Sequence, residues 1–305
     1  MPDVVCVASW NADLVSRVPR PIARGETLLA LSFEISPGGK GSNAAVACAR
    51  QGAATALIAR IGRDDFGRMG LALWQREGIA TQHVEQAEGE RSGVAQILVY
   101  DDGDNSIAVA PGAGAGLAAH HVAAARQTIA ACRVVIASCE VPLDATLAAF
   151  RIARAAGVTT LLNPAPAQRL ADELLALTDV LTPNESELRT VAGAPAGASL
   201  DDAARVLLEC GVRAVVVTLG AAGCRLMRRD LPALDIAGRR VDGVVDTVGA
   251  GDTFTGVLAA AIARGVEIEL AVRRANAAAA LSVTGRGAIG GMPSAAQVDS
   301  LLAHD

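Results

Sequence analysis

The chain has 305 residues, a formal net charge of −5 and a sequence pI near 5.5, and it is 51% hydrophobic but only 2% aromatic. Its acidic balance, with the basic pairs Arg228-Arg229, Arg239-Arg240 and Arg273-Arg274 far apart, excludes a nucleic-acid-binding stripe. No uninterrupted apolar run reaches the roughly 18 residues of a membrane span. Asp3 lies close behind Met1 and no basic stretch precedes an apolar run there, so no signal peptide is expected. Cysteines 6, 48, 132, 139, 210 and 224 include no C-x-x-C and read as reduced core thiols. The expectation is a soluble, cytoplasmic protein.

In chain order, apolar β-type runs near 4–8, 54–60, 133–137, 158–162, 179–182 and 213–218 alternate with helix-period runs near 43–51, 65–77, 118–130, 144–155, 199–209 and 252–264. Alternation of this kind predicts an α/β fold, a mostly parallel sheet with helices on both faces. Residues 14–35 and 91–110 break the rhythm with short β-like runs that no helix separates, so they predict antiparallel strands outside the main sheet. A chain of this length still fits one α/β unit over 1–305. In open α/β sheets ligands bind beyond the carboxyl ends of the strands. Asn11 and Asp13, Asn184, and Gly220 each follow a predicted strand, and all would face one rim.

Two glycine clusters carry the chemistry. Asp246-Thr247-Val248-Gly249-Ala250-Gly251-Asp252-Thr253-Phe254-Thr255-Gly256 sets small residues and a carboxylate at the start of an apolar helix. Unpaired N–H groups and the positive dipole end of such a helix attract an anion. Asp252 at its mouth is placed to take a proton from an attacking hydroxyl, or else simply to cap the helix. Gly38-Gly39-Lys40-Gly41-Ser42-Asn43 presents a lysine and an asparagine on a second tight turn, with spacing unlike a Walker loop. Thr182-Pro183-Asn184-Glu185-Ser186-Glu187 is either an Asn-x-x-Glu phosphate motif or a helix-capping box.

These motifs, with Gly62-Arg63-Asp64-Asp65-Phe66-Gly67, Asn163-Pro164-Ala165-Pro166-Ala167 and Thr218-Leu219-Gly220, resemble the ribokinase family of carbohydrate kinases from about Val4 to Pro293. The resemblance implies ATP-dependent phosphorylation of a sugar hydroxyl, with D-ribose to D-ribose 5-phosphate as the leading expectation and deoxyribose, fructose or a nucleoside as alternatives. Asp252 would be the general base, with an anion hole formed by the N–H groups of Gly249, Ala250, Gly251 and Asp252. Asn11, Asp13, Gly39, Lys40, Asn43 and Glu140 would hold the sugar. Asn184, Glu187, Thr218, Gly220, Gly223, Gly251 and Asn276 would line the nucleotide, Glu187 acting on Mg2+ through water. Asp246, Val248, Ser282, Gly285, Gly287 and Gly291 would hold K+. The stretches 14–35 and 91–110 would form a lid that also pairs two subunits as a homodimer.

Departures from the family pattern fall at Pro111-Gly112-Ala113-Gly114, where many members carry Asn, and at Val257. Both bear on specificity or packing more than on the acid/base group. A dinucleotide-binding dehydrogenase would need G-x-G-x-x-G after the first strand, where the chain reads Ser9-Trp10-Asn11-Ala12-Asp13. A catalytically silent sugar sensor would have no use for Asp252 and its glycines. His120-His121 lacks further spaced ligands and reads as helix surface. Asp101-Asp102 with Asp104-Asn105 lacks the distal Glu of a calcium loop and reads as a hairpin turn. Trp10 and Trp74 read as packing, with Trp10 close enough to Asn11 to touch a ligand.

Overall fold

The first strand, β1 (Val4–Val7), has no polar side, and all four residues are fully buried. Val4 and Cys6 enter one apolar layer while Val5 and Val7 enter the other, as a central strand of a sheet covered on both faces requires. The computed structural model describes residues 1–303.

After β1 the chain leaves the main sheet through β2 (Asn11–Arg17) and β3 (Ser32–Gly38) and returns through α1 (Lys40–Arg50), β4 (Thr55–Gly62), α2 (Asp65–Arg76) and β5 (Ala80–Ala87). A second excursion forms β6 (Gly93–Val99) and β7 (Asn105–Ala110), then α3 (Ala119–Ala124) and α4 (Arg126–Ala131). Parallel β/α alternation resumes with β8 (Val134–Ser138), α5 (Leu143–Ala155), β9 (Thr159–Asn163), α6 (Asp172–Ala176) and β10 (Val180–Leu181). It continues with α7 (Glu185–Ala192), α8 (Leu200–Glu209) and β11 (Ala214–Thr218). An antiparallel hairpin of β12 (Gly223–Arg228) and β13 (Leu234–Ala237) closes the sheet edge. The C-terminal helices are α9 (Ala250–Ala263), α10 (Ile268–Ser282), α11 (Gly287–Gly290) and α12 (Ala295–Leu302).

The main sheet has nine strands in the order β13-β12-β11-β10-β9-β8-β1-β4-β5, parallel from β11 to β5. The smaller sheet has the order β3-β2-β6-β7. Its outer pairings are antiparallel, as the sequence predicts, but β2 and β6 run parallel because each enters the lid from the main sheet in the same direction.

Several elements differ from the sequence reading. The predicted helix over 118–130 is broken at Ala125 into α3 and α4. β5 carries polar residues on its outer side because it is an edge strand, which hides it from an apolar-run criterion. The β12–β13 hairpin and the helices α6, α7, α10 and α12 also lie outside the predicted elements. α10 escapes detection because its Ala-rich sequence has little contrast between faces. Asn11 and Asp13 sit within lid strand β2 rather than in a loop after β1.

α1 and α9 cross at unusually close range. A Cβ on Gly256 would collide with the Ala44 carbonyl and fall 2.7 Å from the Ala47 Cβ, while the Cys48 thiol donates to the Gly256 carbonyl at 3.1 Å. Gly256→Ala is expected to destabilise the fold by about 1–3 kcal/mol through overpacking, despite the roughly 1 kcal/mol that alanine adds to a helix interior. An unchanged urea midpoint would contradict this account of the crossing.

Candidate active site

α9 begins at Gly249, whose left-handed backbone (φ 79°) turns the chain into the helix and whose Cβ, if present, would collide with the Ala288 carbonyl. Gly249 is the cap position, with no side-chain cap bond, so Asp252 is not the helix cap. Asp252 lies in the first turn, buried, and its partners come from outside the helix. Its Oδ2 accepts from Asn43 Nδ2 at 2.9 Å, and its Oδ1 accepts from Asn163 Nδ2 at 3.3 Å. Of the amides expected to form an anion hole, that of Ala250 donates to the Thr247 carbonyl at 3.3 Å. Those of Gly251 and Asp252 lie at the open end of α9, where no preceding turn supplies an acceptor. A Cβ on Gly251 would meet open space, so its smallness leaves room beside the helix end rather than serving packing.

The second glycine turn stands opposite. Gly39 has φ 90°, and a side chain there would sit 2.8 Å from both the Ser9 carbonyl and the Trp10 Cα. Gly38 gives way to Asp13, whose carboxylate occupies the space of the missing Cβ. Glu140 Oε2 accepts from Ser9 Oγ at 2.6 Å and from the Lys40 amide at 2.8 Å, which ties the end of β8 to the start of α1. Asn43 Oδ1 is buried without a partner. Thus Asn11 and Asp13, at the start of lid strand β2, meet Gly39, Lys40, Asn43 and Glu140 at the start of α1, although one Glu140 oxygen is already engaged in holding the turn.

Burial pushes the Asp252 carboxyl up to about 6; the Lys40 ammonium and the Asn43 bond pull it down, and the charges of Glu140 and Glu187 push it up. Asp13 rises to about 7, first by burial and then by Glu140 and Asp252, against Lys40. Lys40 is held charged beyond its ordinary range, most strongly by Asp252, then by Glu140, Glu187 and Asp13, against the cost of burial.

From Asp252 a cavity of about 810 Å³ extends along the carboxyl ends of β9 to β11, within the size of a small-molecule site. Asn184, Glu187, Thr218, Gly220, Gly223, Gly251 and Asn276 all line it. Asn184 and Glu187 also form a real capping box for α7: Asn184 Oδ1 accepts the Glu187 amide, and Glu187 Oε2 accepts the Asn184 amide, each at 2.8 Å. Gly223 has a second reason to be glycine, since a Cβ would collide with the Ile236 carbonyl across the hairpin. Asn276 is buried and donates to the Ala237 carbonyl at 2.8 Å, so it does not face bulk solvent.

The six residues read as a cation site are also gathered. Asp246 accepts from the Val248 amide at 3.0 Å and from the Gly287 amide at 2.9 Å. Gly291 and Gly285 pack so closely that a Cβ on Gly291 would collide with the Ser282 carbonyl, and one on Gly285 with Gly291. Trp10 is held by packing: its Nε1 donates to the Phe66 carbonyl at 3.1 Å and its ring meets Trp74 edge-on at 5.4 Å.

Asn163 is the functional candidate that residue reading missed. Its segment 163–167 carried the family resemblance, but no spacing rule assigns an asparagine at a strand end to a carboxylate 89 residues away. Ser9, beneath Glu140, was equally invisible.

A family model described as pfkB family carbohydrate kinase matches residues 1–295. This chain belongs to that family. Among pfkB family relatives, ribokinase of Haemophilus influenzae is 39% identical over 98% of this chain and 97% of its own length. Deoxyribokinase of Salmonella typhi is 34% identical over 98% of each. A solved pfkB-type neighbour, the ribokinase of Arabidopsis thaliana complexed with ribose and ATP, superposes with a TM-score of 0.91 at 31% identity, covering 99% of this chain and 98% of that one. As a pfkB carbohydrate kinase the protein is a phosphotransferase acting on a sugar.

The electrostatics give a pH dependence with a definite sign. If the carboxylate form of Asp252 is the working base, kcat/KM falls as pH drops through about 6, the raised value of that group. Lys40→Met removes the strongest charge holding Asp252 ionised, so the acidic limb should move to higher pH by roughly one unit or more. A limb at the same pH in wild type and variant would dissociate Lys40 from the base.

Proposed function

We propose that this protein transfers the γ-phosphoryl group of ATP to a hydroxyl of a free pentose, D-ribose giving D-ribose 5-phosphate and ADP. The observation that carries the reading is Asp252, buried yet aimed away from its own helix, at the point where the lid-covered polar pocket meets the long cavity. The ligands bound by the Arabidopsis relative, ribose and ATP, suit these two spaces.

In this reading Asp252 accepts the proton of the attacking hydroxyl as its oxygen bonds to the γ-phosphorus and the bond to the ADP oxygen breaks. The amides at the start of α9 face the charge that builds on the moving phosphoryl group, with Lys40 beside them. Asn43 Oδ1, unpartnered and buried, accepts a sugar hydroxyl, joined by Asn11, Asp13, Lys40 and Glu140. A buried polar group without a partner costs about 1–3 kcal/mol, so binding of a polyol relieves it.

Asn184 and Glu187 would organise the phosphates, the free Glu187 oxygen reaching Mg2+ through water, since magnesium keeps most of its hydration. Magnesium would neutralise charge between the phosphates. Asp246 with the carbonyls of Val248, Ser282, Gly285, Gly287 and Gly291 offers only hard oxygens, fitting K+. Such an ion would brace the loop preceding α9.

The test is mass-spectrometric detection of phosphorylated product from MgATP with ribose, deoxyribose, fructose and nucleosides, in potassium and in sodium. Ribose phosphate should dominate and form faster in potassium. Asp252→Asn should fold normally and lose at least roughly a hundredfold in turnover. A different dominant product would move the specificity, a mutant near wild-type rate would remove the base assignment, and no product at all would favour a silent sensor.

We further propose a homodimer formed by the lid, in a reducing cytoplasm that suits six unpaired cysteines. Among the described residues, no helix is long and apolar enough to cross a membrane. In the lid register, Ile35 lies beside Leu14, and Phe33 beside Ser16 and Leu98 across the next strands, so these apolar residues share one face. Phe33 and Ile35 are 59% and 47% exposed in the single chain, apolar surface that a second subunit would cover. Light scattering should give twice the 30.9 kDa chain mass, and Phe33→Glu should yield monomers; a monomeric wild type would end this reading.

A further inference from the structure

Folding supplies the third ligand that the His120-His121 pair lacks in the sequence. Glu85, on edge strand β5, lies against α3, and its carboxylate with one ring nitrogen from each histidine forms a group whose donor atoms all lie within 4.8 Å of one another. Among the described residues, this is the one such cluster of histidine, cysteine or carboxylate ligands. None of the three lines the cavity beside Asp252.

His121 is pre-oriented. As the third residue of α3 it reaches back so that Nδ1 lies 3.0 Å from the Ala118 amide and 3.3 Å from the Ala118 carbonyl, which directs Nε2 onto Glu85 Oε2. The two imidazole rings lie 3.8 Å apart, tilted by 34°. Glu85 is oriented from behind by Arg60, whose Nε is 3.1 Å from Oε1, leaving Oε2 toward the histidines. The Arg60 charge is itself answered by Glu90 through a bidentate pair at 2.8 and 2.5 Å. With neutral imidazoles, Arg60, Glu85 and Glu90 together carry one net negative charge, so a cation meets no net repulsion.

We propose that Glu85, His120 and His121 form a binding site for a divalent late first-row transition ion, for which Zn2+ is the probe. Two imidazoles and a carboxylate are a ligand set that such ions take, with water completing the sphere. On binding, His121 changes tautomer with no net proton release: the Nε2 proton leaves to solvent as Nδ1 takes one up from solvent, the Nε2 lone pair meets the ion, and Nδ1–H donates to the Ala118 carbonyl instead of accepting from the Ala118 amide. A backbone carbonyl holding the far ring nitrogen is the usual support of a metal-bound histidine. Tetrahedral coordination brings ligand atoms to about 3.3 Å from each other. The contraction falls chiefly on His120, which is exposed, while Glu85 stays oriented by Arg60.

The consequence is mechanical. α3 begins just beyond the turn that follows lid strand β7, and Arg60 Nη1 also holds the Ala113 carbonyl of that turn at 2.9 Å. An ion here would clasp α3 to β5 beside the segment by which the lid rejoins the body.

The test uses the full chain without an affinity tag, stripped with chelator and titrated with ZnCl2 by calorimetry, in parallel with Co2+ monitored by its visible absorption. Wild type should bind one equivalent, show the d–d bands of a low-coordinate cobalt centre, and melt at higher temperature with Zn2+ present. His120→Ala, an exposed change that leaves the fold intact, should weaken Zn2+ by roughly tenfold or more and abolish both the bands and the thermal shift. Glu85→Gln should act in the same direction. Equal Zn2+ affinity in wild type and His120→Ala, or no binding by wild type, would overturn the proposal.

Discussion

The site depends on the close crossing of α1 and α9. Because Gly256 has no side chain, the backbone of α9 settles against Ala44 and Ala47, and the two helices begin side by side. Asn43, in the first turn of α1, then reaches Asp252, in the first turn of α9, although 209 residues separate them. Both helices present their positive ends to the same space. The final glycine of the 246–256 motif is therefore a packing residue, four positions after the carboxylate whose geometry it sets. A motif of apparent phosphate-binding glycines combines three separate demands: a left-handed turn at Gly249, open space at Gly251 and helix contact at Gly256.

Four carboxylates, those of Asp13, Glu140, Glu187 and Asp252, act electrically on the single Lys40. So acidic a surround would repel an anionic co-substrate if all of it were ionised. Burial moderates this by lifting Asp13 and Asp252 toward neutrality, while Lys40 and the helix ends counter the remainder. The arrangement also explains why Glu140 is held by Ser9 and the Lys40 amide: a fixed carboxylate gives the lysine a defined position rather than a range of them.

Much of this was legible in the sequence. The parallel core strands are largely apolar because both their faces are covered, and the glycine turns declare themselves because their backbone disfavours other residues. The less legible elements were those whose residues answer to something distant. β5 looks polar because it is an edge, and α10 looks featureless because alanine packs on nearly every side. Asn163 pairs with a carboxylate across the sheet end, and Glu85 meets His120 and His121 only once β5 and α3 are adjacent. Periodicity reports a residue's own element; it is silent on which strand end or edge lies opposite.

The choice of partners for Asp252 bears on what the group can do. A capping aspartate bonds to its own helix, whereas here two side-chain amides approach from α1 and β9. Asparagine donors orient the carboxylate without adding a formal charge to it. An arginine in either place would stabilise the anion by a further 1–3 units of pKa, by the usual effect of an adjacent guanidinium, and a carboxylate so stabilised is a poor proton acceptor. With neutral donors and a lysine that is shared among four carboxylates, Asp252 keeps its basicity near 6, ionised at neutral pH yet still able to receive a proton. The amide of Asn43 serves this end with its nitrogen and leaves its buried oxygen open, so the same side chain that positions the base has an acceptor ready for a hydroxyl beside it.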